Sequence, residues 1–236
     1  GFVPPILVYD INRDGLSDII FPGTNERFTN QGDWKFKKEA LTAFPPEGSV
    51  NIGILADFTG DGIADYIAAA RNSYLQLFVG DTEGRFSTAA KSIKSTKAPL
   101  ENPQALTAGD IDGDGDLDIW IGQYKISTDG GASLIPYYDA NDGYRSFLLL
   151  NVGGGNFKDV TEAAGLASKR FRRVYSSSLV DLDDDRDLDL LVVSDFSGVD
   201  IYHNDGRGNF TDVTSSAVEE RSAFGMGHSF ADYNLD

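Results

Sequence analysis

Short apolar runs separated by polar, glycine-rich turns make up most of the chain. The runs ILVY (6–9), IIF (19–21), IGILA (52–56), YIAAA (66–70), LTAG (106–109), IWIG (119–122), SLV (178–180) and LLVVS (190–194) are rich in Ile, Val, Leu and aromatics. Runs of this length bounded by turn residues predict strands. No segment keeps a long 3.6-residue period; Thr161–Gly165 predicts at most one helical turn. Between the runs recur Gly-rich segments that end on an aromatic: FVGDTEGRF (78–86), LNVGGGNFKDVT (150–161), HNDGRGNFTDVT (203–214) and a weaker NQGDWKF (30–36). They read as hairpins, glycine supplying positive φ and the aromatic opening the returning strand.

The apolar runs pair around a second repeated feature. DINRDGLSD (10–18), DFTGDGIAD (57–65), DIDGDGDLD (110–118) and DLDDDRDLD (181–189) share one frame, and the chain stops inside a fifth copy, DYNLD (232–236). Successive starts lie 47, 53, 71 and 51 residues apart. About four short strands per repeat of roughly 50 residues predict an all-β fold, a β-propeller before other repeat stacks. The long interval carries an inserted loop, 122–146, rich in Gly, Asp and Tyr. Residues 1–236 are thus read as a single, partial propeller of about four and a half blades.

Oxygen-bearing side chains fall at positions 1, 3, 5 and 9 of each acidic run: Asp10, Asn12, Asp14, Asp18; Asp57, Thr59, Asp61, Asp65; Asp110, Asp112, Asp114, Asp118; Asp181, Asp183, Asp185, Asp189. Position 7 is Leu16, Ile63, Asp116 and Asp187; its backbone carbonyl is the expected further ligand. Asp232, Asn234 and Asp236 begin the fifth set. Hard oxygen donors without cysteine or histidine inside the loop favour calcium over zinc or copper, and an irregular cage suits calcium better than magnesium. An EF-hand is excluded, because position 12, where that loop needs a bidentate Glu, holds Phe21, Ala68, Ile121 and Val192. Position 9 must close the cage instead. Asp and Gly are ordinary turn residues, but four aligned copies select the metal reading over acidic turns. Position 6 is Gly15, Gly62 and Gly115 in three copies and Arg186 in the fourth. Arg186 must then adopt a left-handed conformation or reshape its loop.

Charge sharpens the picture. The 20 basic residues against 37 acidic ones give a formal charge of −17, and 19 of the acids lie in the five runs. Four divalent ions would bring −17 to −9. Nucleic acid and anionic membrane surfaces are poor partners for such a chain. There is no cysteine, so disulfides, thiolate metal sites and a cysteine nucleophile are excluded. No apolar run is long enough to span a bilayer. The first residues, GFVPPILVYD, lack the basic segment and cleavage site of a signal peptide.

The D-x-[DN]-x-D-G-x-x-D runs at Asp10, Asp57, Asp110 and Asp181, with FGMGHSFAD (224–232), resemble the FG-GAP/VCBS repeat family of integrin-α-like calcium-loop propellers. The N-x-G-x-G-x-F-x-D-V-T segments at 151–161 and 204–214 resemble the variant found beside ASPIC/UnbV-type domains. The resemblance implies a propeller of seven or so four-stranded blades with calcium loops on one face. It also implies a secreted, cell-surface or periplasmic location, where calcium is abundant. Thr59 and Arg186 depart from the pattern. Four and a half blades cannot close a seven-bladed ring, so the expected partners include the rest of the propeller or a companion chain.

Three functions compete: a binding or adhesion module for protein or glycan, the propeller of a secreted lyase- or dehydratase-type carbohydrate enzyme, and a purely structural repeat. His203 and His228 are the only histidines, and no G-x-S-x-G is present; the parts of nucleophilic catalysis are missing. In the insertion, Tyr124, Tyr137, Tyr138 and Tyr144 are the candidate ligand contacts, since tyrosine offers amphipathic area at low entropic cost. Packing of these rings against their own blade is the alternative. Lys169–Arg173 (KRFRR) is the one basic cluster, read as solvated or as facing a nearby acidic site.

Overall fold

The computed structural model describes residues 5–126, 138–220 and 225–231. Sixteen strands form four antiparallel sheets of four, each a meander in chain order. The first sheet is β1 Leu7–Tyr9, β2 Asp18–Phe21, β3 Glu26–Asn30 and β4 Phe36–Ala40. The second is β5 Val50–Ala56, β6 Asp65–Ala70, β7 Leu75–Phe78 and β8 Lys91–Ile93. The third is β9 Pro103–Gly109, β10 Asp118–Gln123, β11 Phe147–Asn151 and β12 Phe157–Asp159. The fourth is β13 Arg173–Val180, β14 Asp189–Asp195, β15 Gly198–Asn204 and β16 Phe210–Asp212. A one-turn helix, Thr214–Ala217, follows. At the equivalent place after β12, Thr161–Gly165 makes a hydrogen-bonded turn.

The sheets stack face to face, and the first strands β1, β5, β9 and β13 contact one another in series. This is the blade arrangement of a β-propeller, with the hydrophobic core divided among the blade junctions. Because strand side chains alternate between faces, Tyr66 and Ala68 of β6 pack toward the first blade with Ile20, Phe78 and Phe86. Ile67 and Ala69 of the same strand pack toward the third blade with Ile119, Ile121 and Leu149. Trp120 turns the other way, joining Leu148, Leu190, Val192 and Tyr202 at the next junction. Burial on both faces explains why β6 and β10 are apolar at nearly every position rather than alternating.

Two boundaries differ from the sequence reading. Phe86 does not open β8; it makes a parallel bridge to Thr42 of the first blade and lies 5.8 Å from the Tyr66 ring, so the returning strand starts at Lys91. Gly122 and Gln123 belong to β10, so the insertion begins after them.

Antiparallel order puts the β1–β2-type loops and the β3–β4-type hairpins at one end of every blade. The remaining connections, including the insertion, emerge at the other end.

Candidate functional site

The four Asp-rich loops join the first two strands of each blade and share one hydrogen-bond frame, except that Asp181 of the fourth accepts only the position-6 N–H, on Oδ2 at 3.0 Å. At position 1, Asp10, Asp57 and Asp110 accept the backbone N–H of position 5 on Oδ1 and that of position 6 on Oδ2, at 2.6–3.2 Å. At position 5, Asp14, Asp61, Asp114 and Asp185 accept the N–H of position 7 at 2.8–2.9 Å. Position 6 has positive φ in every loop: Gly15 84°, Gly62 82°, Gly115 90° and Arg186 76°. Arg186 therefore keeps the shared turn shape and adopts the left-handed conformation itself. Position 4 is left-handed as well, in Arg13, Gly60, Gly113 and Asp184, a regularity hidden by its varied residues.

At position 9, Asp18, Asp65, Asp118 and Asp189 are almost fully buried. One oxygen of each accepts the N–H of position 2, from Ile11, Phe58, Ile111 and Leu182. The other accepts an N–H just beyond or at the end of the third strand, from Asn30, Gly80, Asn151 and Asn204. Position 9 thus pins the loop to its own blade. Each oxygen of Asp18, Asp118 and Asp189 accepts one amide and keeps a second lone pair for a cation, whereas Asp65 Oδ2 accepts a second amide, from Thr59, at 2.9 Å.

The donor set fits calcium most directly in the third and fourth loops. Asp110, Asp112 and Asp118 bring carboxylate oxygens within 4.8 Å of one another, and so do Asp181, Asp183 and Asp185. Burial, and more weakly the Asp112 and Asp114 charges, push the Asp118 carboxyl up to about 7 against two opposing backbone hydrogen bonds. Burial raises Asp18 and Asp65 likewise. In the fourth loop, Asp181 Oδ1 is buried without a hydrogen-bond partner, beside two further carboxylates. A buried anionic oxygen in that position calls for a positive ion. His203 also stands at this loop, its Nδ1 3.3 Å from Asp183 and 3.4 Å from Asp189. In the first two loops, Asp10, Asn12, Asp14, Asp57, Thr59 and Asp61 occupy the corresponding places, and Leu16 and Ile63 offer position-7 carbonyls. Asp116 and Asp187 hold position 7 in the others. Asp232, Asn234 and Asp236 lie outside the described residues.

Sequence reasoning missed what ties one loop to the next. Asn151 is buried, and its Nδ2 donates to Leu117 O in its own loop and to Phe58 O in the preceding loop, at 3.3 and 2.9 Å. Asn204 repeats this with Leu188 O and Ile111 O, at 3.2 and 2.8 Å. These asparagines clasp neighbouring blades at the loop face. The available signal was the N-x-G-x-G-N-F hairpin, read for its turn and its family resemblance but not for a contact between blades. Its D-V-T tail has a matching role, Thr161 and Thr214 each joining the Asp two residues before to the third strand.

At the opposite face, the basic cluster is internal. Lys169 pairs with Asp200 and Asp212, both at 2.6 Å. Arg172 pairs with Asp200 at 2.9 Å and Asp139 at 2.7 Å, and Arg173 with Asp142 at 2.7 Å. Asp139 and Asp142 belong to the insertion, and Asn141 and Gly143 bond the same segment. The cluster therefore anchors the insertion's end. The candidate tyrosines divide. Tyr124 stacks on Tyr175 at 4.3 Å and donates to Asp195 at 3.1 Å, so it serves packing. Tyr144 is half-buried, Tyr138 is 74% exposed, and Tyr137 lies outside the described residues.

No curated protein matches the sequence. Among solved structures, the chain is similar to a lectin of Agrocybe aegerita that recognises non-reducing terminal N-acetylglucosamine, with 20% identity and a TM-score of 0.56 over 88% of this chain and 50% of the lectin. It is also similar to BBS1N, solved in complex with ARL6DN, with 10% identity and a TM-score of 0.50 over 89% of this chain and 56% of that one. The chain thus spans about half the length of these structures, and at such identities the likeness is one of fold. The model of the FG-GAP-like repeat matches residues 10–68, 57–121 and 181–236, each match opening on the first Asp of a loop. The chain belongs to the FG-GAP-like repeat family.

Proposed function

We propose that this chain is a calcium-stabilised β-propeller module that binds a glycan or protein ligand through the blade face opposite its Asp-rich loops, in a secreted, cell-surface or periplasmic setting. One observation carries the reading. The loop carboxylates are committed to backbone amides of their own loop and blade, which suits a structural ion, whereas the other face carries the insertion with its exposed Tyr138. The fold likeness to a lectin supports glycan as the ligand class. Calcium would be held by positions 1, 3, 5 and 9 and the position-7 carbonyl, joining segments that would otherwise repel.

The enzyme alternative has one feature in its favour. Ser178 Oγ and His228 Nε2 lie 2.6 Å apart, a hydroxyl and a base in contact. His228 Nδ1 has no partner among the described residues, so the orienting third group of a triad is lacking there.

Calcium-loaded protein applied to a glycan array tests the binding reading. Binding is expected in the wild type, loss in Tyr138→Ala, and retention in Leu182→Ser, an exposed loop-face change. Binding that survives Tyr138→Ala but is lost in Leu182→Ser would move recognition to the loop face and overturn the assignment.

A further inference from the structure

A cavity of about 610 Å³ opens between the second and third blades at the face opposite the Asp-rich loops. Its walls come from the link after β8, the start of β11, strand β12 and the turn beyond it. The volume falls in the range of small-molecule sites. Its charge runs against the rest of the chain. Lys97, Arg145, Lys158 and Arg170 line it, against Asp159 and Glu162.

Those two acids are already claimed. Arg170 is 8% exposed and faces Glu162 at 3.3 Å and Asp159 at 3.9 Å, while its Nη2 donates to Ser146 O at 3.3 Å. Lys97, Arg145 and Lys158 therefore have no carboxylate partner among the described residues. That is unexpected in a chain with 37 acidic and 20 basic residues, where a cation is readily neutralised. Phe147 and Phe157 supply apolar wall, with the Arg170 guanidinium over the Phe147 ring at 5.3 Å. Ser95 Oγ is buried in the same wall without a hydrogen-bond partner.

We propose that this cavity binds an acidic saccharide, a sugar ring bearing a carboxylate or sulfate. The anion pairs with Arg145 and the flanking lysines, where charge-assisted hydrogen bonds are strong. The carbon face of the ring lies against the phenylalanines. This rests on the reading of the same blade face as the recognition surface, and it names the ligand class.

The test uses calcium-loaded protein and isothermal titration with four probes: a hyaluronan tetrasaccharide (carboxylate), a chondroitin sulfate tetrasaccharide (carboxylate and sulfate), neutral chitotetraose and a poly-glutamate peptide. At least one acidic tetrasaccharide is expected to bind roughly tenfold or more tighter than chitotetraose, the equivalent of about 1.4 kcal/mol. Preference between the two acidic sugars separates carboxylate from sulfate recognition. Arg145→Ala/Lys158→Gln, which alters exposed side chains only, should weaken that binding by a similar factor with an unchanged melting temperature. Lys35→Gln/Arg207→Ala, an equal charge change at the loop face, should not. Chitotetraose binding equally well and surviving the first double variant would overturn the acidic site while leaving glycan recognition standing. Binding of poly-glutamate alone would assign the cavity to an acidic protein and overturn the saccharide. No binding by any probe would overturn the acidic-saccharide site, while the glycan array decides the wider binding reading separately.

Discussion

Replacing Asn151 by alanine isolates the clasp between blades. The side chain is buried, and its amide satisfies Phe58 O in the preceding loop and Leu117 O in its own, while its Oδ1 accepts Gly153 N–H at 3.2 Å. Each net hydrogen bond is worth about 1 kcal/mol, and a buried carbonyl stranded without a donor adds about 1–3 kcal/mol. The Phe58 bond is the shorter and the more deeply buried, so it carries most of the effect. Asn151→Ala should therefore cost about 2–4 kcal/mol. For a chain of this size that lowers the melting temperature by roughly 4–16 °C. Asn30 is the internal control, because its amide reaches only Ser17 O of its own loop, at 3.1 Å. Asn30→Ala should cost under about 1 kcal/mol. Calorimetric or urea unfolding in calcium reads both. Asn151→Ala no more harmful than Asn30→Ala would refute the inter-blade clasp.

Two further outcomes follow from the loops. Arg186 holds a φ of 76° that its three counterparts reach as glycine; Arg186→Gly should raise stability by about 1 kcal/mol by relieving left-handed strain, and a lower unfolding midpoint would count against the shared turn shape. Burial raises the Asp118 carboxyl to about 7, with Asp18 and Asp65 shifted the same way. A raised folded-state value means that the folded chain holds the proton more tightly than the unfolded one. Its stabilisation is thus full at low pH and lost as pH rises through about 7. In EDTA the melting temperature should therefore fall from pH 5.5 to 7.5, and the increment added by calcium should grow. A melting temperature in EDTA that rises over that interval would contradict this.

The loops and the blade count per repeat were legible in the sequence because they are local. Alternate carboxylates, a left-handed glycine and flanking apolar runs act within nine residues, and periodicity exposed them. Arg186 was legible for the same reason. The clasps were not, because the carbonyl that Asn151 reaches lies 93 residues away and only blade stacking brings it close. Phe86 misled because an aromatic after a glycine turn fits a returning strand equally well as a plug into the neighbouring blade. Lys169–Arg173 could be read only as solvated or as facing a nearby acidic site, because its partners Asp139, Asp142 and Asp200 lie 28 to 33 residues away. The cavity draws its walls from links that no local pattern connects.

The account turns on whether calcium holds the blades together. Native mass spectrometry and calorimetry on one preparation, with calcium and after EDTA, test this directly. It predicts at least four bound calcium ions and a large drop in melting temperature on their removal. A metal-free mass in millimolar calcium, or a melting temperature indifferent to EDTA, would contradict it.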